Sequence, residues 1–117
     1  MHELAIADAV VRIAGDHAAG RPVRTVFVKV GRLRQVVPAA LQFSFELVAE
    51  GTPVEGARLE IEEVAAAGVC RACGRESRLD GFPLACAACG GLDVDVIRGE
   101  ELQVDSLEVD DEMVVSR

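Results

Sequence analysis

Four cysteines constrain this 117-residue chain more than any other feature. They fall as Cys70-Arg-Ala-Cys73-Gly and Cys86-Ala-Ala-Cys89-Gly, with 12 residues between the pairs. Each C-x2-C-G reads as a knuckle, a tight turn that points backbone amides at its own sulfurs, with the following glycine relieving the strain of the turn. Two knuckles supply four sulfurs in a tetrahedron, the closed coordination of structural zinc, which leaves no position for water or substrate. An iron site on the same thiolates, a redox dithiol pair and loss of the metal are the alternatives. The opening MHELAIADAV carries Glu3 and Asp8 where a secretory signal would be basic and then apolar, so the expected compartment is the cytoplasm. Cysteines stay reduced there, and an even set of four points to metal before disulfides. No membrane span is expected either: the longest uncharged run, residues 81–92, has 12 residues, whereas a spanning helix needs about 20 apolar ones.

The knuckles sit in a segment unlike its flanks. Residues 68–98 read as short irregular pieces with no helical stripe, and about thirty such residues cannot bury enough surface to be stable alone. Before them, Glu3 to Ala19 places Leu4, Ile6, Ala7, Val10, Val11, Ile13, Ala14 and Ala18 in one arc of a helix, with Asp8, Arg12 and Asp16 opposite. Gly20, Arg21 and Pro22 end it. Arg24 to Val30 alternates as a strand, with Val26, Val28 and Val30 on one face. Pro38 to Glu50 predicts a second helix, with Leu41, Phe45 and Val48 at helical spacing. Arg58 to Val64 predicts a second strand, and Leu102 to Val109 a further one, with a phase slip at Asp105 and Ser106 that suggests a bulge.

The expected fold class is α+β. Two helices pack on a small, mostly antiparallel sheet that contains Leu59–Val64 and Leu102–Val109, and a zinc-ribbon-like knuckle domain is inserted between those strands. The expected domains are an α/β domain of residues 1–67 and 99–117 and an inserted zinc-binding domain of residues 68–98.

Charge narrows the function. The chain carries 12 Lys plus Arg against 20 Asp plus Glu, a formal charge of -8, with four Phe and no Trp or Tyr. Residues 68–98 hold four basic and four acidic groups, with Phe82 as their one aromatic. A ribbon that reads phosphates should be clearly basic and carry aromatics for stacking. Nucleic acid is therefore not an expected partner. Residues 99–117 hold seven acidic groups against Arg117, so the acidity is concentrated at that end, where it reads as a solvated strand face and tail before a docking surface. No nucleophile paired with a base, no P-loop and no open catalytic zinc is visible, so no catalytic residue is expected.

The two histidines are His2 and His17. His17 falls in the apolar arc of the first helix and reads as a partly buried packing residue. It lies roughly 22 Å along the helix from His2, too far for the two to share one metal within a chain. A lone histidine at position 2 is a weak signal. Its chemistry is suggestive, because the Met1 amine, nearby backbone nitrogens and an imidazole can form small chelate rings. Such a nitrogen-rich, nearly planar set suits Ni(II) or Cu(II).

Met1-His2-Glu3-Leu4 opening an amphipathic helix, Gly31-Arg-Leu, PAALQFSFE from Pro38 to Glu46, GTPVEGARLEIEE, the paired knuckles and a final GEELQVDSLEV together resemble the HypA/HybF nickel metallochaperones over essentially the whole chain. The resemblance implies delivery of nickel to the large subunit precursor of [NiFe] hydrogenase with a HypB-type GTPase, and in some organisms service to urease maturation proteins. It implies His2 as the principal nickel ligand, with the Met1 amine and the His2 and Glu3 backbone contributing, and structural zinc on Cys70, Cys73, Cys86 and Cys89. Some members carry a histidine near the knuckles; this chain has Gly90 and Gly91 there. The reading of another class is a zinc-ribbon adaptor that binds protein or nucleic acid and has no second metal.

Overall fold

The computed structural model describes residues 2–109 and the backbone of residues 112–115. In chain order the elements are α1 (Glu3–Ala18), β1 (Val23–Gly31), a 3-10 turn (Arg32–Arg34), α2 (Pro38–Ala49), β2 (Arg58–Val64), β3 (Ala66–Cys70), β4 (Glu76–Leu79), β5 (Val94–Arg98), β6 (Leu102–Val109) and β7 (Glu112–Val115). The strands form one four-stranded sheet, ordered β2-β1-β6-β7, and one three-stranded sheet, ordered β4-β3-β5. The ladders β3–β4, β3–β5 and β6–β7 are antiparallel. As the sequence suggests, β2 and β6 share a sheet, with β1 between them.

The chain divides into two compact units. The first is Met1–Lys29, Val36–Glu62 and Gln103–Arg117; the second is Val30–Gln35 and Glu63–Leu102. The second reaches beyond residues 68–98 on both sides. Composition changes only at Gly68, but β3 already begins at Ala66, and Gly31 and Leu33 donate their N–H groups to Glu101 and Gly99 carbonyls at 2.7 and 2.8 Å.

In the first unit, α1 and α2 pack on each other. Ala7, Val10, Val11, Ala14 and Ala18 are the buried residues of α1, and Leu41, Phe45 and Ala49 those of α2. Pro38 starts α2 because its fixed φ suits a first turn and its missing N–H would have had no helical partner. Val23, Val26 and Val28 of β1, Leu59 of β2, and Val104, Leu107 and Val109 of β6 join them in the buried apolar set, with Val54 from the loop before β2. The buried Thr25 hydroxyl donates to Glu108 Oε1 at 3.1 Å, joining β1 to β6 without leaving a buried polar atom unpaired.

Two readings of the sequence are corrected here. The apolar arc of α1 is narrower than its periodicity implies: Leu4, Ile13 and His17 are exposed, and His17 Nδ1 lies 2.9 Å from the Ile13 carbonyl. Core contact needs only a stripe of the helix, and the arc of eight apolar residues spans more than that. The segment of residues 68–98 is not irregular, since most of β3, together with β4 and β5, lies within it. Along β6 the alternation slips where the sequence suggests, since Ser106 and Leu107 are buried in succession, and the register with β7 runs from Ser106↔Val115 to Val109↔Glu112 beyond that point. A register step lies between Ala67 and Gly68, where β3 meets β5.

Candidate metal centre

The second unit brings the four cysteines together. Cys70 ends β3 and is fixed by mutual main-chain bonds, its N–H to the Arg75 carbonyl at 3.0 Å and its own carbonyl to the Gly74 N–H at 2.8 Å. The second knuckle repeats the scheme: Cys86 N–H bonds the Gly91 carbonyl and the Gly90 N–H bonds the Cys86 carbonyl, both at 2.8 Å. Gly74 and Gly90 stand at φ 78° and 76°, the left-handed conformation that a side chain disfavours, which is why glycine follows the second cysteine in each knuckle. Backbone N–H groups also point at sulfur, from Ala88 to Cys86 Sγ at 3.3 Å and from Gly91 to Cys89 Sγ at 3.4 Å.

The four Sγ atoms lie within 4.8 Å of one another. Across the knuckles, Cys70 Sγ to Cys89 Sγ and Cys73 Sγ to Cys86 Sγ are both 3.7 Å. A regular tetrahedron with metal–sulfur bonds of about 2.3 Å has edges of about 3.8 Å, so the donor set has the size of a zinc site. Its electrostatics point the same way. The Cys89 and Ala88 N–H groups lower the Cys86 thiol to about 6. At Cys89 the Gly91 N–H also acts to lower the thiol, but the sulfurs of Cys70, Cys86 and Cys73 outweigh it and push Cys89 up to about 11. Four thiolates at this spacing repel, and a divalent cation at their centre removes the conflict. The cluster is thus compatible with structural zinc. The two inner sulfurs belong to buried residues, Cys70 at 1% and Cys86 at 3% exposure, while Cys73 and Cys89 are exposed.

Ion pairs brace the sheet beside this cluster. Arg71 forms a two-point pair with Asp95, with Nε to Oδ2 at 2.9 Å and Nη2 to Oδ1. Its backbone N–H bonds the Asp93 carbonyl at 2.9 Å. The first knuckle is thereby tied to β5 immediately beyond Cys70. Asp95, held by Arg71, has its carboxyl lowered below the usual range, and Arg71 is raised in return by Asp95 and Asp93. Arg98 Nη2 meets Glu76 Oε2 at 2.6 Å, linking β5 to β4. Sequence reasoning missed β4 and β5, whose segments Glu76-Ser-Arg-Leu and Val94-Asp-Val-Ile-Arg98 carry no clear alternation.

The other predicted ligand residues lie in the first unit. Met1 is outside the described residues. His2 is exposed and occupies the N-cap position of α1, where its carbonyl accepts the first helical bond, from Ile6 N–H at 3.0 Å. The helical ladder begins there, so the main-chain nitrogens of His2 and Glu3 take no part in it. Glu3 Oε2 accepts the Val37 N–H at 3.0 Å, tying the start of α1 to the residue that precedes α2. The Val37 side chain itself makes no cap bond to α2. His2 and His17 stand at opposite ends of α1 and are not brought together. Of the acidic C-terminal end, Asp110, Asp111, Arg117 and the Glu112 side chain lie outside the described residues.

Fold and site together define a small α+β protein of two units, one of which carries a four-cysteine knuckle centre. Comparison with known proteins narrows this class. The sequence family described as "Hydrogenase/urease nickel incorporation, metallochaperone, hypA" matches residues 1–109. A "Hydrogenase maturation factor HypA" of Geotalea uraniireducens is 47% identical over 110 residues, covering 94% of this chain and 100% of the relative. Another from Nostoc sp. is 40% identical over 111 residues, 95% and 97% of the respective chains. The solution structure of the Ni metallochaperone HypA from Helicobacter pylori shares the fold, with a TM-score of 0.69 at 23% identity, over 96% of this chain and 100% of that one. The protein belongs to the HypA family of hydrogenase maturation metallochaperones. No helix among the described residues is long and apolar enough to cross a membrane.

Proposed function

We propose that this protein carries Ni(II) for [NiFe] hydrogenase maturation, binding it at the N-terminus and delivering it with a HypB-type GTPase to the large subunit precursor. In organisms with urease, its maturation proteins are further recipients. The α/β domain of residues 1–67 and 99–117 holds nickel through the His2 imidazole, the Met1 amine and the His2 and Glu3 main-chain nitrogens. The unit around residues 68–98 holds structural Zn(II) on Cys70, Cys73, Cys86 and Cys89. The protein works in the cytoplasm by binding and transfer, without catalysis and without nucleic acid.

The observation that carries this reading is the family match over residues 1–109 in a chain that carries His2 and Glu3 where the helical ladder has not yet begun to use main-chain N–H groups. Amide nitrogens that stabilise no helical turn can be deprotonated and metallated without unravelling α1. Imidazole and amine must both be proton-free to bind, with ordinary values of about 6.5 and 8, so affinity falls as pH drops below neutrality. The test is a nickel titration of protein with its native N-terminus and its zinc content monitored. One site per chain is expected, lost on His2→Ala or when an extension blocks Met1, with zinc retained in both. Nickel binding indifferent to both changes overturns the assignment of the N-terminal site.

A further inference from the structure

We propose that the outward face of α2 is a docking surface for a basic amphipathic helix of a partner protein. Two independent features of α2 meet on that face.

The first is apolar. Phe43 is 63% exposed and Leu47 50% exposed. They stand four residues apart, so their side chains are neighbours on one stripe, extended towards the helix start by the exposed Ala39. Single exposed apolar residues are ordinary on a protein surface, but a paired aromatic and leucine at helical spacing is a contact patch. The chain has four aromatic residues in all. Phe45, two positions from Phe43, is fully in the core, so the helix is buried correctly and Phe43 faces outward as a consequence of that register.

The second feature is charge. Glu46 within α2 and Glu50 at its C-cap are both exposed and lie beside the apolar pair. They lie at the negative end of the helix dipole, and α2 has no basic residue in its last turn. Among the described residues neither carboxylate has an ion pair or side-chain hydrogen bond. An apolar stripe bordered by uncompensated carboxylates fits a partner that brings leucine-like side chains with Lys or Arg beside them. A second copy of this chain fits poorly, because each copy carries a formal charge of -8.

The test uses the full zinc-loaded chain and a synthetic helical peptide of about 18 residues, with leucines at i, i+3, i+4 and i+7 and lysines on the flanks. A control peptide carries glutamate in place of every lysine. Saturable amide shift changes confined to residues 39–50, produced by the lysine peptide alone and weakened by salt, are expected. Phe43→Ser with Leu47→Ser should weaken binding about tenfold or more. Glu46→Gln with Glu50→Gln, which leaves the apolar pair intact, should weaken it about three- to tenfold. All four side chains are exposed, so both variants should keep the parent melting temperature. Equal binding of the glutamate peptide, or unchanged affinity in the Phe43 and Leu47 variant, overturns the proposal. Self-association of the free protein that the same variant abolishes also overturns it, by making a second copy the occupant.

Discussion

Replacing Cys70 with alanine removes one buried vertex of the sulfur tetrahedron and tests how the second unit is held together. That unit has 46 residues. A body of this size rarely draws more than about 3–5 kcal/mol from its own apolar core. Its buried residues are small or few: Val30, Ala66, Ala67, Leu79 and the two inner cysteines. A structural four-cysteine zinc site supplies about 10 kcal/mol or more of apparent binding free energy. The metal term therefore exceeds the apolar term, and the pairs of Arg71 with Asp95 and Arg98 with Glu76, exposed and screened by water, cannot replace it. Amide hydrogen exchange with zinc analysis reads the result. In Cys70→Ala, the amides of β3, β4 and β5 should lose protection and zinc should be absent, while α1 and α2 keep protection. Protected β3–β5 amides in a zinc-free variant would refute the reasoning, because the small core would then suffice.

Further outcomes follow from other contacts. Phe45→Ala empties a fully buried site on the inner face of α2, and should cost about 3–5 kcal/mol in chemical denaturation, lowering the melting temperature without releasing zinc. Glu3→Ala removes the acceptor for the Val37 N–H and should lower the denaturation midpoint slightly; an unchanged midpoint would mean that solvent replaces the bond fully. Cys86 is lowered from 9.0 to about 6, so its contribution to the stability of the knuckles is fully present above pH 9 and is lost as pH falls through 6. Bound metal lowers that midpoint further, so zinc followed with a colorimetric chelator should be retained at pH 7 and released at or below about 6. Complete release by pH 7 contradicts the assignment.

The parts of the fold that were legible in the sequence are those with local punctuation. Pro38 marks the start of α2, and β1 and β2 carry clear alternation, so their limits fall within about a residue of the expected ones. The knuckles were legible for the same reason: the spacing of Cys70, Cys73, Cys86 and Cys89 is itself the geometry. The sheet around them was not, because β4 has four residues and β5 five, lengths at which alternation barely differs from chance, and β3 begins among alanines. His17 was misplaced because periodicity reports a direction around α1 and not how far the neighbouring element reaches. The Glu3 contact with Val37 joins residues 34 positions apart, which no local pattern encodes.

The unequal burial of the sulfurs also bears on time. A centre with four buried donors loses its ion only when the fold opens, so its exchange rate is an unfolding rate. Here Cys73 and Cys89 face solvent while Cys70 and Cys86 do not. With zinc bound, Cys73 and Cys89 would be the donors open to an external thiol, and Cys70 and Cys86 would be the pair that keeps the ion while the outer donors are replaced. Retention at equilibrium and slow exchange would then be separable: such a centre would hold zinc tightly and still trade it, at a rate set by the incoming thiol.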